Sequence, residues 1–184
     1  MISSSRQVLI MLFGTAMAAV ACASAHAGTP TEYEVKAAFI HNIAKFVEWP
    51  AAATTAGPLK LCVLGHDPFG GALDALRGKT VHDKPWEVLH ANSDTSLREC
   101  GVLFITASER NNLKQVLDAT KGSAVLTVGD SEGYAERGVM VNFYLQGNMV
   151  RIEVNLDASK RAGLNISSQL LKLARIVQEP GGDR

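Results

Sequence analysis

Most of the features that announce a protein's chemistry are missing from this sequence. Net charge is absent, because 18 Lys and Arg balance 18 Asp and Glu. A nucleic-acid surface needs a basic excess to displace counterions from phosphate, so that class is disfavoured. Cysteine is scarce, three in 184 residues. Neither C-x-x-C nor H-x-x-x-H spacing occurs, so no metal site is indicated and no cofactor is expected. No apolar run approaches the ~20 residues of a membrane-spanning helix. The fingerprints G-x-S-x-G, G-x-G-x-x-G and G-x-x-x-x-G-K-[ST] are all missing. His66 and Asp67 are adjacent in a turn, a poor arrangement for convergent acid–base work. The sequence does not point to an enzyme.

What is present begins with a leader. Residues 1–7 are polar with a single cation, Arg6, and residues 8–20 are almost wholly apolar. Ala25-His26-Ala27 then supplies a small-x-small triplet, so residues 1–27 read as a secretory signal peptide cleaved between Ala27 and Gly28. Lipidation at Cys22 competes but is disfavoured, because Ala19 stands where a large aliphatic residue is wanted. The expected mature protein, residues 28–184, is a periplasmic domain carrying one more acid than base. Cys62 and Cys100 remain in it. Two cysteines in an oxidising compartment favour one disulfide, with two buried free thiols as the alternative. Closing so long a loop stabilises by roughly 4 kcal/mol in the chain-entropy account.

Apolar spacing over residues 33–49 predicts a helix, N-capped by Thr31 with Glu34 completing a capping box, and stopped by Pro50. Its polar side is expected to carry Glu34, Lys36, His41 and Lys45. Strands are expected at residues 59–64, 78–81, 86–90, 102–105 and 124–128. Helices are expected at residues 69–76 and from Ser108 to Leu117. A hairpin over residues 139–144 and 149–154 precedes a final amphipathic helix over residues 167–177, with Leu170, Leu171, Ala174 and Val177 as its core stripe. This alternation predicts one three-layer α/β domain with a mixed, Rossmann-like sheet and a C-terminal hairpin plus helix. The glycine-rich turn from Gly65 to Gly71 reads as a tight strand-to-helix connection, since Pro68 removes an amide that a phosphate would use. Trp49 and Trp86 are candidates to line a ligand pocket, against the commoner role of packing.

The segments Glu34-Val-Lys-Ala-Ala-Phe-Ile-His-Asn-Ile-Ala-Lys-Phe-Val-Glu-Trp-Pro50, Leu61-Cys-Val-Leu-Gly-His-Asp-Pro-Phe-Gly70 and Cys100-Gly-Val-Leu-Phe-Ile105 resemble the YfiR family, also known as the DUF4154 domain. So do Val125-Leu-Thr-Val-Gly-Asp130, Glu153-Val-Asn155 and Gly163-Leu-Asn-Ile-Ser-Ser-Gln-Leu-Leu-Lys-Leu-Ala174, in the same order. The resemblance implies a periplasmic α/β protein, often a homodimer, that represses an inner-membrane diguanylate cyclase by binding its periplasmic sensor region. Loss of that repression raises cyclic-di-GMP and favours biofilm. It also implies a Cys62–Cys100 disulfide, while the second bridge of some members is excluded by the cysteine-free hairpin. It further implies partner contacts in the C-terminal region, where Glu153 and Gln169 are the expected contact residues. A periplasmic small-molecule sensor without a cyclase partner is the second expectation.

Overall fold

The computed structural model describes residues 30–53, 57–92 and 95–180. The leader, its cleavage point at Ala27 and Gly28, and Cys22 lie outside the described residues. The first helix, α1 (Glu32–Lys45), starts as expected. Thr31 Oγ1 accepts from the Glu34 N–H at 3.3 Å, and the Thr31 N–H donates to Glu34 Oε2 at 2.6 Å. Its end is different. The chain leaves the helix after Lys45, and β1 (Val47–Glu48) pairs with β9 (Asn165–Ile166) far along the sequence. The Ser167 N–H also donates to the Phe46 carbonyl at 2.8 Å. Strand pairing from a distant segment therefore ends the helix before Pro50 can.

The parallel heart of the sheet is β2 (Leu59–Leu64), β4 (Lys84–Ala91), β5 (Val102–Ile105) and β6 (Leu126–Gly129). A short β3 (Thr80–Val81) folds back on β4 through His82 and Asp83, both at positive φ. Two left-handed residues in succession make the type I′ turn that matches strand twist. The hairpin of β7 (Val141–Gln146) and β8 (Met149–Asn155) extends the other side, turning at Gly147 and Asn148. With β10 (Arg175–Val177) at the far edge, the order across the sheet is β10-β8-β7-β6-β5-β2-β4-β3. Strands buried on both faces read as unbroken apolar runs, which is why residues 102–105 were recognisable. On one face α1 covers Leu61, Val63, Phe104 and Val128; on the other α2 (Leu113–Thr120) covers Cys62, Leu103 and Ile105. Each such side chain stabilises by about 1.5–3 kcal/mol on burial. The architecture is the three-layer α/β domain that the alternation of elements implies.

Several expected elements differ. Ser108 does not cap a helix; it sits in a short 3-10 turn, where its Oγ accepts the His66 N–H at 2.9 Å. Residues 72–76 form a 3-10 turn in place of the helix expected over residues 69–76. After the hairpin comes α3 (Leu156–Arg161), started by the Asn155 side chain accepting from Ala158 N–H at 2.8 Å. The helix expected over residues 167–177 is one turn, α4 (Ser168–Leu171), and β10 (Arg175–Val177) then runs parallel to β8.

Candidate functional site

Three regions can do chemistry or make contacts. The first is the carboxyl edge of the parallel strands, where open α/β sheets usually hold ligands. Here the crevice is filled by the chain's own side chains. A Cβ on Gly65, which has φ +95°, would overlap Thr106 Oγ1 and Ser108 Oγ. Buried Tyr134 donates its hydroxyl to the Thr106 carbonyl at 2.9 Å. At the end of β6, Asp130 meets α1. Lys36 Nζ lies 2.9 Å and the Tyr33 hydroxyl 3.0 Å from Asp130 Oδ2, and Lys36 also pairs with Glu32 at 2.5 Å. The side chains of Lys36 and Asp130 are 4% and 5% exposed. The spacing argument placed Lys36 outside, but its cation is wanted beneath the helix. Burial pulls the Lys36 ammonium down, while hydrogen bonds to Asp130 and Glu32 with Asp130's charge hold it above the usual lysine value. Burial and the Asp130 carboxylate push the Tyr33 phenol up.

His41, also expected outside, is buried and accepts the Trp86 indole N–H on Nδ1 at 3.0 Å. Burial first, then the charges of Lys45 and Lys79, holds its imidazole below the ordinary histidine range. Its neutral form is the one that can accept this bond.

The second region is a cavity of about 830 Å³ at the amino ends of the same strands. Trp49, His82, Lys60, Arg98 and Cys100 line it. The Trp49 ring packs edge-on against His82, and its buried Nε1 has no hydrogen-bond partner. Trp86 lines a different, smaller cleft of about 440 Å³ beside Asp67 and His90. The two tryptophans each border a cavity, but not the same one. The Cys62–Cys100 disulfide joins β2 to the start of β5, with Cα atoms 5.9 Å apart.

The third region is the outer end of the sheet. Glu153 was expected on the surface; it is 3% exposed. β10 covers it, and Glu153 pairs with Arg175 and accepts from Asn142 Nδ2 at 3.1 Å. Arg175 in turn stacks over the Tyr144 ring at 4.6 Å. Strand alternation identified Ile152 and Val154 as core-facing but missed that the opposite face is covered too. Glu153 therefore holds β10 in place, and a lysine there would set a buried ammonium against the Arg175 guanidinium. Gln169 is exposed on α4, with Leu173 and Ile176 close by at 74% and 45% exposure. The helical spacing expected over residues 167–177 already places Ile176 toward the outer side with Gln169, but it does not single out Leu173, because it treats those residues as one helix.

A family model described as YfiR/HmsC-like (DUF4154) matches residues 33–175. Among solved structures, the fold is similar to a conserved domain protein from Vibrio cholerae O1 biovar El Tor strain N16961, at 12% identity and TM-score 0.55, covering 81% of this chain and 60% of that one. It is also similar to the ABC domain of Streptococcus pneumoniae solved in complex with L-Trp, at 8% identity and TM-score 0.53, covering 79% and 60%. The chain thus spans less than two thirds of either solved protein, and at such identities the likeness is one of fold. No helix among the described residues is long and apolar enough to cross a membrane.

Proposed function

This chain belongs to the YfiR/HmsC-like family, and from that membership we propose that it is a periplasmic regulator that represses an inner-membrane diguanylate cyclase by binding the enzyme's periplasmic segment. The observation that carries the reading is the reach of the family match, residues 33–175, which takes in α1, the parallel strands and the C-terminal hairpin. Periplasmic control of cyclic-di-GMP synthesis is consistent with that family. Export follows from the leader: the mature chain is expected to begin at Gly28. N-terminal sequencing of periplasmic protein checks this, and a first residue of lipid-modified Cys22 overturns it.

The partner surface in this reading is Gln169 with the exposed Leu173 and Ile176, not Glu153. Exposed apolar side chains flanking a polar one are the usual makings of a contact patch. Deleting the gene should raise cellular cyclic-di-GMP, and restoring it should reverse the rise. Leu173→Glu should raise cyclic-di-GMP at unchanged periplasmic abundance, because that side chain is 74% exposed and little of the core depends on it. Unchanged cyclic-di-GMP in the deletion strain would remove the cyclase from the account.

A second reading, a small-molecule sensor, rests on the cavity at Trp49. A buried indole N–H with nothing to donate to suits a ligand that brings an acceptor. Thermal-shift measurements with metabolite pools, compared between the wild type and Trp49→Phe, separate the two: a sensor gains stability from a ligand and loses that gain in the variant.

A further inference from the structure

The Trp86 side chain is tied to α1 through its only hydrogen-bonding group. Its indole N–H donates to His41 Nδ1 at 3.0 Å, with the two ring centroids 6.3 Å apart. Indole carries a donor and no acceptor, so the bond exists only while Nδ1 keeps its lone pair and the imidazole proton sits on Nε2. A second proton turns Nδ1 into a donor. Two N–H groups then face each other beneath the helix, where His41 is 7% exposed and an unmet donor is costly. A hydroxyl or an amide in place of the indole could rotate to offer an oxygen. An indole cannot.

The surroundings also oppose the charge. The groups that face His41 are Lys45, one turn further along α1, and Lys79, whose carbonyl takes the Trp86 backbone N–H at 3.3 Å. Both are cations. On the other elements packed here, Asp74 pairs with Arg77 at 2.9 Å, Lys84 borders the larger cavity, and Glu87 alternates to the opposite face of β4 from Trp86. His90 and Asp67, 2.6 Å apart, border the 440 Å³ cleft that Trp86 also lines. There His90 donates from Nε2 to a carboxylate, so a second proton adds charge to that contact and leaves its hydrogen bond in place. Acid thus acts oppositely on the two histidines: the outer tie holds and the inner one gives way.

We propose that His41 and Trp86 form an acid-sensitive latch between α1 and β4, in which a solvent proton taken up at His41 Nδ1 releases the indole and opens the cleft at its Trp86 end. Burial and two cations hold the His41 imidazole below the ordinary histidine value of about 6.5, so the latch is closed at neutral pH and opens on the acid side. The folded protein takes this proton less readily than the unfolded chain does. Stability therefore falls as pH drops from about 6.5 and levels off once His41 is charged in both states. An exported domain meets the acidity of its surroundings, which gives such a latch its use. The cyclase reading is not needed, since nothing on the α4 surface takes part.

The test reads Trp86 directly. In Trp49→Phe, Trp86 is the one tryptophan left in the chain. Acrylamide quenching of its fluorescence should rise severalfold between about pH 8 and pH 5, with a one-proton midpoint below about 6.5. His41→Gln, which keeps a neutral side chain able to accept the indole N–H, should abolish the rise. His90→Gln should leave it intact. Without any change at His41, the Trp86 indole N–H resonance of the wild type, assigned by its disappearance in Trp86→Phe, should lose its protection from solvent exchange over the same range. Accessibility and protection that stay constant on acidification overturn the proposal. So does a rise that survives His41→Gln or vanishes in His90→Gln, either of which places the titration on another group.

Discussion

Cys62→Ala or Cys100→Ala lowers stability by about 2–5 kcal/mol, the cost of losing a native bridge in a small domain. The two residues are 38 apart in sequence, and a loop of that size corresponds to about 4 kcal/mol of denatured-state entropy. Packing adds to this. Both residues are nearly inaccessible and sit in the cluster of Leu103, Ile105, Leu113 and Val116 beneath α2. Alanine leaves a sulfur-sized gap there. The double variant should lose little more than either single one, because both remove the same bond. Thermal melts should show a fall of about 10 °C for the variants. Most of that fall should appear in the wild type under reducing conditions, where no side chain has been trimmed. If reduced and oxidised wild type melt together, the bridge adds nothing to stability.

Lys36→Met is expected to cost about 3–5 kcal/mol, the penalty for stranding one partner of a buried ion pair. Asp130 would keep only the Tyr33 hydroxyl as a partner among the groups that meet it here. Asp130→Leu should cost less, since Lys36 retains Glu32, whose side chain is 38% exposed and partly hydrated. The double variant Lys36→Met/Asp130→Leu should recover part of the loss, because it leaves no buried charge uncompensated. The pH dependence has a definite sign. Lys36 and Tyr33 are both held above their ordinary values in the folded state. The folded protein therefore keeps those protons more tightly than the unfolded chain does. Their contribution is complete below about pH 10 and is lost as pH rises above it. Melting temperatures measured from pH 8 to 11 should fall more steeply for the wild type than for Lys36→Met with Tyr33→Phe. Parallel curves would show that this cluster does not couple to protons.

The parts of the fold that sequence made legible are those whose causes are local. Thr31 and Glu34 cap α1 within a single turn, and the apolar runs at residues 59–64 and 102–105 announce strands covered on both sides. The parts that escaped depend on distant partners. Leu170, Leu171, Ala174 and Val177 are spaced as a helix would space them. Yet β8 offers an open edge and Glu153 a carboxylate, and Arg175–Val177 takes the strand instead. The same cause hid Glu153, whose covering strand lies 22 residues later. Lys36 and His41 were placed outside because charged and polar groups on a helix usually face water. One is drawn in by Asp130 and the other by the Trp86 indole. α3 had a readable signal: Asn155 at its cap, Asp157 in its first turn, Lys160 and Arg161 in its last. The two cavities left no trace in the sequence beyond their tryptophans.

The Cys62–Cys100 bond also decides how the molecule carries force. Along the covalent chain from α1 towards β10, tension that reaches Cys62 in β2 can pass through the disulfide directly to Cys100, just ahead of β5. The intervening stretch, with β3, β4 and the 3-10 turn at residues 72–76, is bypassed. Its 38-residue span represents roughly 130 Å of contour length that pulling cannot release while the bond is intact. The same shunt protects against nicking. A protease that cuts the exposed turn at His82 and Asp83 would leave both fragments tied through the centre of the sheet.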